Sequence, residues 1–164
     1  MKGKTHIAGG MVCAVTLINL AQIRGINLTN VESAVLSVSS VIGSLLPDID
    51  NVNSKISNTN IFTKVISVFA NLFLGHRELT HYPETFVVLC LLLLSGCFVS
   101  GNISPVVIGF LIGYGSHIVL DLLNPMGIRS AITKKRYSIA RIKTGGACEN
   151  LIFGLLVFIF FIII

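Results

Sequence analysis

Five long apolar runs punctuate the chain, at residues 7–23, 32–46, 84–100, 103–123 and 151–164, with polar segments between them. Several approach the roughly 17–25 residues that a membrane-spanning helix needs. The pattern predicts an all-α fold: a multi-pass transmembrane helical bundle of about five spans, forming a single domain over residues 1–164. A further stretch, "IFTKVISVFANLFLG" at 61–75, has 15 residues and carries Lys64 near its start. As a helix it would rise about 22 Å against about 30 Å of hydrocarbon, so an interfacial or re-entrant helix is expected there. The last run, "LIFGLLVFIFFIII", has 14 residues and can cross only with its flanking residues or with local thinning of the bilayer.

Composition supports the membrane as solvent. The chain is 53% hydrophobic and 12% charged, with a mean hydropathy of +0.86, outside the range of a soluble globule. "MKGKTH" resembles the basic start of a secretory signal, but "NLAQIRGI" offers no small-x-small cleavage site, so the first run is expected to be retained. Cys13, Cys90, Cys97 and Cys148 form no CxxC pair, and three lie in or beside apolar runs, where cysteine acts as a small hydrophobe.

The net charge of +5 changes meaning once the cations are sorted by loop, because Lys and Arg bias sets membrane orientation. With a cytoplasmic N-terminus and five crossings, the inner segments hold Lys2, Lys4, Lys55, Lys64, Arg77, Arg129, Lys134, Lys135, Arg136, Arg141 and Lys143. Arg24 alone of the 12 cations faces outward. Topology explains the basicity, and no nucleic-acid partner is expected. The stretch "RSAITKKRYSIARIK" at 129–143 reads first as a topology determinant in contact with anionic lipid, and second as a recruiter of phosphate-bearing substrate.

Polar groups within a membrane protein are expensive, so each is a candidate for function. They fall in four clusters: "KTHIAGG" with His6, "LLPDIDN" with Asp48 and Asp50, "HRELTH" with His76, Arg77, Glu78, Thr80 and His81, and "GYGSHIVLDLLNP" with His117 and Asp121. Pro47 and Pro125 should end their helices, leaving Asp48 and Asp50 to begin an irregular loop at the membrane surface. His117 and Asp121 are four apart, on one helix face. His76 and His81 are five apart and would diverge by roughly 140° on an ideal helix. In the proposed topology all four clusters gather on the cytoplasmic side.

Imidazole and carboxylate are the ligands of Zn and Mn sites. All four histidines and three of the seven acids lie in these clusters. His6, Asp48, Asp50, His76, His81, His117 and Asp121 are therefore candidate ligands for a divalent metal, Zn favoured with Mn or Mg as alternatives, in one ion or two. Seven ligands exceed the four of a single structural Zn, and a pair of ions would activate water and clamp a phosphoryl group. Asp50 is a ligand or the base that orients water, and Arg77 would stabilise charge developing on phosphate. Thr80 is placed to orient a ligand by a hydrogen bond. Glu78 and Glu149 are weaker candidates, since a surface Glu beside a span is more often only solvated. Gly109 and Gly113 form a small-xxx-small pair suited to close helix packing. "KTGGA" at 143–147 lacks Walker A spacing and reads as a turn.

These motifs, "TH" near glycines, "LLPDID", "HRELTH" and "GYGSHIVLDLLNPMGI", occur in the order found in the YdjM-like family, which the chain resembles over most of residues 4–128. The resemblance implies a bacterial inner-membrane, metal-dependent hydrolase with its metal at the seven residues named above. The chain departs from the family pattern at Tyr82, where Ser usually follows the HR-x-x-TH motif. A looser similarity to zinc-dependent phospholipase C enzymes, which also use a His-x-x-x-Asp pair, suggests phosphoester chemistry on a lipid or lipid-linked substrate. The rival readings are a proton- or metal-ion-coupled transporter, in which His117 and Asp121 relay ions, and a non-enzymatic membrane scaffold. One-sided placement of the clusters and the lack of paired broken helices weigh against transport.

Overall fold

The computed structural model describes residues 1–50 and 79–164, with side chains for 1–48 and 80–164. The expected helix at 61–75, together with His76, Arg77 and Glu78, lies outside these residues, as does the Asp50 side chain.

Each of the five apolar runs forms a helix: α1 Gly3–Ile23, α2 Asn30–Leu45, α3 Pro83–Ser100, α4 Pro105–Leu122 and α5 Ala147–Ile163. Of these, α1, α3 and α4 are long and apolar enough to cross a membrane, while α2 and α5 have 16 and 17 residues. Local chemistry explains the ends. Thr29 caps α2, accepting from the Glu32 backbone N–H while the Glu32 carboxylate accepts from the Thr29 N–H, a reciprocal capping box. Pro83 and Pro105 open α3 and α4, where a missing N–H costs nothing. Gly101 closes α3 in the left-handed conformation.

The bundle is organised around α2 and α4, which run in the same direction in near backbone contact. A β-carbon added at Gly109 would lie 2.2 Å from Leu36 O, and one at Gly113 would lie 1.9 Å from Ser40 O. Gly43 returns the approach, 2.1 Å from Phe110 O. The small-xxx-small pair therefore does what its spacing predicts. On the other side, α1 meets α2 at Gly10, whose carbonyl accepts from the Ser40 hydroxyl at 2.9 Å. α5 lies along α1, joined by Asn19 Nδ2 donating to Ile163 O at 2.6 Å and by Lys4 Nζ 4.4 Å from the centre of the Phe153 ring. α3 is held mainly at its start, where Phe86 stacks on Tyr114.

Two local features depart from expectation. Pro47 ends α2, but Leu46–Asp50 forms a 3-10 turn rather than an irregular loop, and Leu79–His81 forms a second. The basic segment holds a small antiparallel hairpin, β1 Ile128–Arg129 with β2 Arg136–Tyr137, which the helical pattern gave no reason to expect. The segment after the hairpin packs back on α4: Ile139 N–H and Ile142 N–H donate to Leu122 O and Leu123 O, satisfying carbonyls at the end of α4. Glu84, in the first turn of α3, holds the hairpin's turn by accepting from the Ser130 hydroxyl and the Ala131 N–H.

Candidate metal centre

Four chain ends converge at one end of the bundle: the start of α1, the turn after α2, the turn before α3 and the end of α4. They bring together His6, Asp48, His81, His117 and Asp121, five of the seven ligand candidates; His76 and the Asp50 side chain lie outside the described residues. His6 and His117 are fully buried and stack with ring centres 3.7 Å apart. His117 Nε2 lies 3.2 Å from Asp121 Oδ2 and 3.4 Å from His81 Nε2. His81 Nε2 is 3.6 Å from Asp121 Oδ2 and 3.7 Å from Asp48 Oδ1, and His6 Nε2 is 3.4 Å from Asp121 Oδ1. His6, Asp48 and His117 each offer a ligand atom within 4.8 Å of the others, and so do His81, His117 and Asp121.

The hydrogen bonds behind the cluster decide which nitrogens face it. His117 Nδ1 is 2.7 Å from Ser44 O. A carbonyl accepts only, so Nδ1 carries a proton, and in the neutral ring Nε2 turns a lone pair toward the Asp121 carboxylate. The Thr80 hydroxyl donates to Pro47 O at 3.0 Å, which leaves its oxygen to accept from His81 Nδ1 at 3.3 Å. In the neutral His81 ring Nε2 is then also a lone pair aimed inward. Lone pairs facing carboxylate oxygens repel unless a cation or proton lies between them. His6 sharpens the point, since both of its ring nitrogens are buried without a hydrogen-bond partner among the described residues, a costly state in an apolar interior. A divalent metal would satisfy these groups together, and a backbone carbonyl behind a ligating imidazole is the usual support of such a site.

The acids carry interactions of their own. Asp121 Oδ1 accepts from Asn124 Nδ2 at 2.7 Å and stands 2.6 Å from the Met1 ammonium group, so positive charge is already drawn to this carboxylate. Burial opposes the charge of Asp48, and positive charge carried by the facing His81, His117 and His6 rings offsets it, holding its carboxyl below the usual carboxylate value.

Tyr114, absent from the predicted site, supports it from below. It is 1% exposed and its hydroxyl donates to Thr80 O, fixing the turn that carries His81. A buried tyrosine needs a partner for its O–H, which was the available signal. Asn124, three residues after Asp121 and just past the end of α4, was readable as its neighbour one turn on. Glu149 requires a correction. It is fully buried rather than solvated, and it accepts from the Lys2 N–H, the Gly145 N–H and the Thr5 hydroxyl. It ties α5 to the start of α1 and is not placed among the ligands.

A membrane-helical bundle with a His/Asp cluster at one end is the class that these features define. The chain matches the YdjM inner membrane protein family over residues 1–163, and it belongs to that family. It is 33% identical over 130 residues to the Bacillus subtilis (strain 168) protein named "Uncharacterized protein YvsG", covering 79% of this chain and 71% of the relative. No solved structure matches.

Proposed function

We propose that the chain is a membrane-embedded, metal-dependent hydrolase that cleaves a phosphoester of a lipid or lipid-linked substrate. The observation that carries the reading is the pair of histidines, His81 and His117, whose Nδ1 protons are committed to Thr80 and Ser44 O while both Nε2 atoms face the two aspartates. His6, Asp48, His81, His117 and Asp121 would hold the metal, zinc in the first instance with Mn or Mg as alternatives. When bound, the metal would supply Lewis acidity and an activated water at neutral pH. A neutral imidazole nitrogen has one lone pair, so His117 Nε2 serves one ion. A second ion would draw on Asp50 and His76.

The protein's own groups do the rest. Asp121 neutralises cationic charge and is itself oriented by Asn124. Asp50 is assigned to orient the attacking water and Arg77 to bind phosphate oxygens. Lys134, Lys135, Arg136, Arg141 and Lys143, in the segment joining α4 to α5, supply the positive potential that gathers anionic substrate on the cytoplasmic leaflet. Placement of the cluster at one end of the bundle supports a surface reaction over a path through the membrane.

The test is phosphate release by purified protein from phosphatidic acid and polyprenyl phosphate in mixed micelles. Release abolished by chelator, restored by zinc and lost in Asp121→Ala supports the hydrolase. Metal-replete, folded protein that releases no phosphate from either lipid rejects it.

A further inference from the structure

An apolar groove of about 340 Å³ runs between α2, α3 and α4, lined by Ser39, Ile42, Leu89, Leu93, Val107 and Phe110 among others. Ile42 is 55% exposed, so the groove opens sideways from the bundle. From Phe110 to His117 is seven residues, about 10 Å along the helix. Leu89 lies eight residues beyond His81, at a similar depth. The headgroup layer of a bilayer is about 5–7 Å thick on each side, the difference between roughly 40–45 Å overall and 30 Å of hydrocarbon. A phosphate held at the His/Asp cluster would therefore place the upper part of its hydrocarbon chain at the depth of the groove. Phe110, on the groove wall, packs beside Tyr114 and Phe86, with neighbouring ring centres 6.2 and 5.5 Å apart, and the Tyr114 hydroxyl reaches the turn that carries Thr80 and His81.

We infer that this groove receives the hydrocarbon chain of a lipid whose phosphorylated head lies at the metal centre, so that the substrate enters laterally from the membrane. The inference deepens the hydrolase reading and rests on it for the head group, whereas the chain site stands on the groove alone. A groove with this lining offers a water-soluble phosphate no polar partner beyond one serine. It suits an alkyl or polyprenyl chain already dissolved at that depth.

The probes are dioleoylphosphatidic acid and its dihexanoyl analogue, with wild type compared with Val107→Trp and Leu93→Trp, which fill the groove. Retention of dioleoylphosphatidic acid through detergent exchange, read by native mass spectrometry, should fall at least tenfold in both variants while zinc per chain is unchanged. Hydrolysis should fall to the same extent for the dioleoyl lipid and stay within twofold for the dihexanoyl one. Undiminished retention in the filled variants, or a second copy of the chain in place of lipid, overturns the proposal. Should either tryptophan variant fail to fold, Leu93→Cys in a background lacking the four native cysteines serves instead. Dioleoylphosphatidic acid should slow its alkylation by N-ethylmaleimide at least fivefold, and no protection contradicts the groove. Asp121→Ala separates the two readings: it should lose zinc and hydrolysis but keep the lipid. Groove-dependent retention by a wild type that hydrolyses neither probe would remove the hydrolase and leave the lipid site.

Discussion

His117 owes its orientation to Ser44 O, and His81 owes its own to Thr80, whose hydroxyl proton is committed to Pro47 O. The second support can be changed by mutation. Thr80→Val keeps the shape but removes the acceptor for His81 Nδ1, and should weaken zinc binding about 10–100-fold in chelator competition, as loss of a supporting hydrogen bond does elsewhere. Thr80→Ser should retain most of the affinity; equal affinity in all three proteins would remove Thr80 from the account. Glu149 acts on stability instead. Glu149→Ala leaves the Lys2 and Gly145 N–H groups without their acceptor and should destabilise the fold by about 2 kcal/mol, read as a fall in Tm with zinc content unchanged. At this scale the sequence disclosed the ligand types, because histidines and acids are conspicuous in apolar surroundings. It did not disclose Ser44, which contributes only a carbonyl, or the burial of Glu149, which depends on the start of α1 folding across it.

Helix contacts here are set by glycine. Gly113 has Ser40 O where a β-carbon would lie, and Gly96 has nothing within 4 Å. Gly113→Ala should therefore force α2 and α4 apart at a cost of about 1–3 kcal/mol. Gly96→Ala should be neutral or stabilise α3 by about 0.5–1 kcal/mol. Thermal unfolding in detergent checks the contrast, and similar Tm changes for the two would contradict it. The helices were legible as apolar runs, and their starts moved where polar residues form the first turn. α1 begins at Gly3 and α5 at Ala147, each four residues before its apolar run. The hairpin was not legible, since its strands are two residues each and are held by Glu84 and the end of α4 rather than by any alternating pattern.

Across the whole molecule, helix directions agree with the charge-based topology. α2 and α4 run together, as do α1 and α5, and the His/Asp cluster lies where α1 begins and α2 and α4 end. The loop between α3 and α4 should then face away from the cytoplasm and the basic hairpin toward it. In a cysteine-free background, Asn102→Cys should react with a membrane-impermeant maleimide in intact cells, and Lys134→Cys only after permeabilisation. The reverse pattern would place the cluster on the outer face. What was legible at this scale is that the polar clusters share one end of the bundle, because the apolar runs between them fix the alternation of helix directions. The most direct test of the metal centre is anomalous diffraction from crystals of the zinc-loaded protein at the zinc edge. The account predicts a peak about 2.0–2.1 Å from His117 Nε2, flanked by Asp121 and His81 and absent from Asp121→Ala. Ordered density for these side chains with no anomalous peak among them would contradict it.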